Sequence, residues 1–305
     1  MNKRYGISSA ILVVLILAAL LSGCKSQGKK TAEEDVTVPV VQDSRAMEDV
    51  KQAEKIFNAL PSPLESAMLI KSAGARFDEA QMNPISNVDK YATVKSKALN
   101  LGVYTCDLSF ASMYEQTQLI IDYMNAAKRM ADGLGILDAI PQETINGLEE
   151  NINNSEYIMD AVSETFMNSN SYLEENGQPA VAAMVLTGGW FEGLYISTQL
   201  VDIKDFNGNK LVSRIIDQKL SIDILLNLLN SNKGNPAVDE IIAQVGKLKA
   251  VFDKIKISTS SVKAEFDQQS NSTVIKSQVK TDMTPEVFKE LSSTVAEIRN
   301  SFVTI

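Results

Sequence analysis

The sequence predicts an all-α fold, an antiparallel multi-helix bundle, on the strength of three observations. Long stretches without proline place apolar residues three and four positions apart, which is the spacing of one helix face. The connections between these stretches are short, and short connections favour antiparallel neighbours. Proline fits the first position of a helix, where its missing N–H would be unpaired anyway. Five of the eight prolines stand at such a position: Pro63, Pro141, Pro179, Pro236 and Pro285.

The elements follow in order along the chain. Ser62 and Glu65 predict a capping box, in which Ser62 is the N-cap residue and the Glu65 carboxylate reaches back to it. Asn235 and Thr284 are expected to cap two later helices. The longest stretch is expected to break near 101–102. The predicted helices are at about 44–60, 63–80, 88–132, 141–176, 179–203, 210–231, 236–256 and 285–303.

The segment 257–283 differs from the rest because it is rich in serine and threonine. Apolar residues occur there in two short groups, which is typical of short strands and not of an amphipathic helix. A small β-hairpin near 260–281, before the C-terminal helix, is therefore possible within the otherwise helical fold.

The amino terminus has the order of a secretory signal. Lys3 and Arg4 precede an unbroken apolar run, Ile11 to Leu21, that is shorter than the roughly 20 residues of a membrane-spanning helix. The run ends in Leu-Ser-Gly-Cys at 21–24, which resembles the lipobox of bacterial lipoproteins. The alternative is an ordinary cleaved signal peptide followed by a chance cysteine.

The resemblance implies that a peptidase removes residues 1–23 as a signal peptide and that Cys24 carries diacylglycerol and a further acyl chain such as palmitate. Residues 24–43 are polar and lack aromatic side chains, so we expect a flexible tether. Residues 44–305 are expected to form a single helical domain. Lys25 follows the cysteine in place of the aspartate that resembles an inner-membrane retention signal, so the expected location in the cell envelope is the outer membrane. The residues next to the lipid are basic, which favours a domain that faces the periplasm.

Composition excludes several classes of function. Removal of residues 1–23 takes away two basic residues and no acidic one, which changes the net charge from −9 to −11. Such a surface repels nucleic acids and anionic headgroups, so the membrane is expected as a partner only through the lipid. The chain has no histidine, which excludes Ser-His-Asp catalysis and the usual zinc sites. No cofactor, metal ligand or catalytic residue is predicted, although carboxylate chemistry remains open.

Cys106 is the only other cysteine, and lipid on Cys24 leaves it without a partner in the chain. We expect it to be buried on a helix as a small apolar side chain.

The candidate site combines two carboxylates with aromatic rings, all inside apolar helical stretches: Tyr104, Asp107, Trp190, Glu192 and Tyr195. Residues three apart share a helix face, as Tyr104 and Asp107 do, and Glu192 and Tyr195. If the two segments face each other, the acids and rings would form a pocket for a cation, an amine or a sugar. The alternative is that the rings fill the core and the acids pair with basic side chains.

The two segments also resemble each other. Gly102 to Ser112 aligns with Gly188 to Thr198, pairing Tyr104 with Trp190 and Leu108 with Leu194. A duplicated helix pair would explain this, and so would two core helices that share one packing solution. The same segments are similar to parts of helical envelope lipoproteins of unknown function, and that resemblance implies no activity.

Three functions remain. The leading hypothesis is a non-enzymatic, lipid-anchored helical domain that binds a small molecule or a protein partner in the envelope. The first alternative is a carboxylate-based hydrolase that uses Asp107 and Glu192. The second alternative is a purely structural envelope component without a pocket.

Overall fold

The computed structural model describes residues 60–259, 263–267, 272–276 and 279–304, which all lie in the compact unit Asp43–Ile305. The expected signal peptide, Cys24 and the expected tether lie outside the described residues, as does nearly all of the helix expected at 44–60. The described helices are α1 (Pro63–Ser72), α2 (Val94–Met113), α3 (Thr117–Gly133), α4 (Gln142–Glu150), α5 (Ser155–Glu175), α6 (Pro179–Gln199), α7 (Lys210–Ser231), α8 (Pro236–Phe252) and α9 (Pro285–Val303). Short 3-10 turns occupy Glu79–Gln81, Ile85–Lys90, Leu137–Ala139 and Ile203–Asp205. The all-α class is confirmed.

The caps expected from the sequence are present. The Ser62 amide donates to Glu65 Oε2 over 2.7 Å, and the Glu65 amide donates to Ser62 Oγ over 3.1 Å. Asn235 and Thr284 cap α8 and α9 through their side-chain oxygens. Four of the five helix-starting prolines stand at the first helical position, while Pro141 is the residue just before α4. Capping chemistry therefore locates most helix starts.

Several helix boundaries differ from the prediction, three of them substantially. The helix expected over 63–80 ends at Ser72, and the stretch expected over 141–176 is divided between α4 and α5, with Asn154 capping the second. The break expected near 101–102 is wrong, because α2 runs through both residues. The chain turns instead at Glu115, whose φ of 58° is left-handed and ends the helix. Gly102 serves packing and not a turn.

Four short strands lie between α8 and α9: β1 (Lys256–Thr259), β2 (Lys263–Asp267), β3 (Ser272–Lys276) and β4 (Val279–Asp282). β1 pairs with β4 and β2 pairs with β3, both antiparallel. The register joins Lys256 to Asp282 in the first pair and Lys263 to Lys276 in the second. These short strands leave the fold class unchanged.

The core is built around α2 and α6. α6 is 21 residues long with mean hydropathy 1.2, long and apolar enough by composition to cross a membrane, yet 83% of that stretch is buried among the other helices. It carries one charged side chain, Glu192. Such a helix is apolar all round because it is a core helix.

Candidate functional site

Glycines bring α2 and α6 into backbone contact. A Cβ atom added to Gly102 would lie 2.0 Å from the Val185 carbonyl oxygen, and one added to Gly188 would lie 1.9 Å from the Leu99 carbonyl oxygen. Neither position accepts a larger residue unless the helices separate. The two segments that resemble each other in sequence are therefore the two sides of one close helix crossing, and this crossing brings Asp107 and Glu192 together.

Glu192 is held by an arginine that the sequence analysis did not identify. Arg299 of α9 donates from Nε to Glu192 Oε2 over 2.8 Å and from Nη2 to Oε1 over 2.7 Å. The Glu192 side chain is 0% exposed and the Arg299 side chain 6%. The Tyr195 ring lies 4.5 Å from the guanidinium carbon, a cation–π contact on the remaining face. Burial alone would lower the pKa of Arg299, but the adjacent Glu192 carboxylate outweighs burial and raises it.

Asp107 is a second carboxyl group at the same place. Its Oδ2 accepts from the Asn83 amide over 3.0 Å, while its Oδ1 is buried and has no donor among the described residues. Burial, and then the charge of Glu192, raise the pKa of Asp107 well above its ordinary value. The raised pKa favours the protonated, neutral form of Asp107 over the ionised form.

Asn83 joins this group to the loop between α1 and α2. Its Nδ2 donates to Tyr91 Oη over 2.9 Å and to Asn100 Oδ1 over 3.1 Å. Its Oδ1 accepts from Asn87, and its carbonyl oxygen accepts from the Tyr123 hydroxyl over 3.0 Å. Every polar group of this fully buried residue is thus paired. We call the set Asn83, Asp107, Glu192 and Arg299 the buried polar seam.

The two side chains that accept hydrogen bonds from Asn83, those of Tyr91 and Asn100, also hold the end of the last helix. Tyr91 Oη donates to the Val303 carbonyl over 3.0 Å, and Asn100 Nδ2 donates to the Phe302 carbonyl over 2.9 Å. Carbonyl groups in the last turn of a helix have no partner within the helix. Side chains from the loop and from α2 therefore cap α9.

The aromatic members of the predicted site fill space around the seam. Tyr104 is 0% exposed, and its ring lies 6.0 Å from that of Tyr123. Burial raises the pKa of both phenols, so they remain neutral. Trp190 is 3% exposed, and its Nε1 donates to Gln218 Oε1 over 3.1 Å. Tyr195 is half-buried. Cys106 is a buried free cysteine, as expected, and burial raises its pKa well above the ordinary value.

The predicted residues converge, but in a filled core. Asp107 and Glu192 both have 0% exposed surface, whereas acid–base catalysis requires a carboxyl group within hydrogen-bond reach of the substrate. Each carboxyl group is already used by a neighbour in the seam. In this arrangement the two acids stabilise the helix crossing, but they have no exposed surface through which to reach a substrate.

A cavity of about 90 Å³ lies on the other side of α2, enclosed by α2, α3, α4 and α5 and by Val185 of α6. We call it the side cavity. Its wall is mostly apolar, with Leu108, Leu148 and Val162 among its lining residues. Two exposed charged residues, Lys128 and Glu149, border its opening. A concave apolar site with few polar groups is the usual form of a small-molecule site.

The side cavity also concentrates unpaired polar atoms. Asn170 Oδ1 and Thr165 Oγ1 are buried and lack hydrogen-bond partners among the described residues, and both residues line the cavity. This site was not predicted from the sequence, although a signal existed. Thr165 lies three residues after Val162, and Asn170 lies four after Phe166 and three before Leu173. Both polar side chains therefore fall on the apolar face of the amphipathic helix α5.

Two further searches were negative. Within the described part of the chain, no group of three or more acidic, cysteine or histidine side chains is placed to hold a metal ion. No protein-family model, no curated protein and no solved structure matches the chain.

Proposed function

We propose that the chain is a lipid-anchored protein of the bacterial cell envelope whose helical domain binds a small apolar molecule in the side cavity without converting it. The observation that carries the binding proposal is the apolar side cavity, where space inside the bundle is left unfilled by side chains. Well-packed interiors leave few voids larger than a water molecule. The seam contributes stability to this scaffold and no chemistry.

Support for the anchor comes from the amino-terminal sequence. The basic start, the apolar run and Leu-Ser-Gly-Cys at 21–24 are in the order of a lipoprotein signal. Two or three acyl chains hold a protein on a membrane firmly, since each buried methylene contributes about 0.8 kcal/mol. A lipid-anchored domain would work next to a bilayer, which is a reservoir of apolar molecules.

We further propose that the helical fold includes the small hairpin expected from the sequence. A small hairpin near 260–281 is supported by the antiparallel pairing of β1 with β4 and of β2 with β3. In the proposed function this segment has no role in ligand binding.

A second candidate is a purely structural envelope component. It is favoured because Asp107, Glu192 and Trp190 are all buried and already bonded to other groups of the core. The two candidates differ in whether the side cavity is occupied in the working protein.

Xenon binding tests the cavity, because apolar cavities that stay dry take up such probes. We expect pressurised xenon to shift the methyl resonances of Leu108 and Val162 in the full-length protein. The methyl resonances of leucine and valine residues that do not line the cavity should shift far less. Ala127 lines the cavity and is half-buried, so Ala127→Leu should fill the space and abolish the shift. The matched control is Ala243→Leu, at an exposed site on α8, which should leave the shift unchanged. Absence of a cavity-specific shift in the wild-type protein would leave the structural role.

Mass spectrometry of protein purified from bacterial membranes tests the anchor. We expect the mature chain to begin at Cys24 and to carry a diacylglycerol with a further acyl chain. Cys24→Ser should yield unprocessed precursor without lipid, whereas Cys106→Ser should be processed normally. An unmodified thiol at Cys24 in the native protein would refute the anchor.

A further inference from the structure

We propose that the ligand of the side cavity is an aliphatic molecule that carries a hydroxyl group, and that this hydroxyl donates to Oδ1 of Asn170. The inference rests on the proposed binding function and names the chemical class of the ligand. It is carried by the position and pairing of two polar side chains on α5.

Asn170 presents an unused acceptor at the cavity. The residue is 5% exposed, and its Nδ2 donates to Glu174 Oε1 over 3.1 Å. A carboxylate oxygen only accepts, so the amide nitrogen must face Glu174, and this fixes the orientation of the amide. Oδ1 is then left without a donor. A buried unpaired acceptor destabilises a protein, so its presence on a cavity wall is accounted for if a ligand supplies the donor.

Thr165 also has a side-chain oxygen without a hydrogen-bond partner, unlike several other hydroxyl groups of the bundle. Thr105, Ser109 and Ser112 of α2 and Thr187 of α6 each donate to the carbonyl oxygen four residues earlier, over 2.7–2.9 Å. Thr165 Oγ1 is buried without such a partner. These four hydroxyls are paired locally whereas that of Thr165 is not, so Thr165 supplies a second polar point on the cavity wall.

The pairing selects the polar group of the ligand. Asn170 Oδ1 can only accept, so the group that meets it must donate. An ionised carboxylate, a phosphate diester or an ether has no hydrogen to donate and would leave Oδ1 unpaired. An ammonium group would donate, but its charge would be placed among apolar side chains at high desolvation cost. A neutral hydroxyl meets both conditions.

The apolar wall and the volume select the rest of the ligand. An engineered apolar cavity of about 150 Å³ holds benzene, whereas the side cavity measures about 90 Å³. The enclosed part is therefore large enough for only a few carbon atoms, such as the start of an aliphatic chain. A longer chain would continue through the opening beside Lys128 and Glu149.

The test compares two probes with the same atoms, 1-pentanol and butyl methyl ether, titrated into the full-length protein and followed by NMR. We expect the wild-type protein to bind the alcohol about tenfold more tightly than the ether, since one hydrogen bond separates them. Only the alcohol should shift the Asn170 side-chain amide resonances. Asn170→Leu should remove the preference, while Asn168→Leu, at an exposed site on the same helix, should retain it.

The outcomes separate the inference from the function on which it rests. Equal affinity of the wild-type protein for both probes would overturn the hydroxyl assignment and leave apolar binding intact. No binding of either probe, together with no xenon response, would overturn both. If Asn170→Leu does not fold, the amide shift in the wild-type protein still decides, because a shift with the ether as large as that with the alcohol would refute the assignment.

Discussion

The two sides of α2 handle buried polar groups in opposite ways. On the side that meets α6, the buried polar seam joins carboxylates, amides, phenols and an arginine into an almost completely paired network around a backbone-to-backbone crossing. On the side that meets α5, the wall is apolar, space remains, and two polar atoms are unpaired. The seam contains the more conspicuous residues but has no room for a ligand.

The difference shows that chemically rich residues do not by themselves identify a site. A buried ion pair requires close compensation to offset its desolvation. Here Arg299 makes two hydrogen bonds to Glu192 and lies against the Tyr195 ring. The side cavity lacks such compensation at Asn170. Unfilled space with an unmet hydrogen bond is a better indication of ligand binding than a satisfied charge cluster.

Removing one charge should disrupt the seam most severely. Glu192→Gln leaves Arg299 buried without its counter-charge, and we expect the free energy of unfolding to fall by about 3–5 kcal/mol. Urea denaturation of the purified protein measures this. The double variant Glu192→Leu with Arg299→Met removes both charges, so it should be clearly more stable than the single variant. If the free energy of unfolding of the single variant falls by less than about 1 kcal/mol, water must compensate the charge of Arg299. The seam would then not be the dry, paired side of α2.

Adding one methyl group at the helix crossing should have the next largest effect. Gly188→Ala places a Cβ atom against the Leu99 carbonyl, so we expect a loss of about 1–3 kcal/mol or more by the same measurement. Gly246 of α8 is the matched control, since nothing lies within 4 Å of its added Cβ atom. Gly246→Ala should raise stability by about 0.5–1 kcal/mol because alanine favours a helix. Equal responses at the two positions would contradict close packing at the crossing.

Replacing Asp107 by asparagine should have the smallest effect at acidic pH, where the raised pKa keeps the carboxyl group protonated, and should appear mainly in the pH dependence of stability. Its folded-state pKa is raised, so the folded protein retains a proton that the unfolded chain releases above about pH 4. Its contribution to stability is therefore full below pH 4 and declines as pH rises towards the folded-state pKa, by at most about 1.4 kcal/mol per pH unit. Asp107→Asn keeps the acceptor for Asn83 and a donor for Glu192.

Unfolding free energies at pH 4, 5.5 and 7 should therefore fall less with pH in Asp107→Asn than in the wild-type protein. Asp122→Asn, at a half-buried site on α3, is a suitable control and should follow the wild-type curve. Parallel curves for the wild-type protein and Asp107→Asn would mean that Asp107 is ionised in the seam.

Local signals predicted much of the fold. Capping at Ser62, Asn235 and Thr284 depends on neighbouring residues only, which is why the corresponding helix starts are right. Gly102 was misread because glycine has two uses, at turns and at close helix approaches, and only the three-dimensional partner distinguishes them. The turn at Glu115 had no signal, since no glycine or asparagine stands at its left-handed position.

The sequence predicted which residues of the candidate site come together, but not that they form a filled core in place of a pocket. Asp107 and Glu192 were singled out as acids in apolar helices, but their depth and partners depend on α9, whose counter-charge was not identified. A signal existed: Arg299 lies four residues after Val295 and three before Phe302, on the apolar face of that helix. Asn170 of the side cavity stands in the same position relative to Phe166 and Leu173, but the empty space beside it arises from helix geometry and not from any residue pattern.

The pairing of Glu192 with Arg299 spans 107 positions of the chain, and the last turn of α9 is held by groups some 200 positions earlier. As the chain is synthesised, Glu192 has no counter-ion until α9 has been made. The ion pair at the centre of the seam therefore joins the core helix α6 to the last helix described.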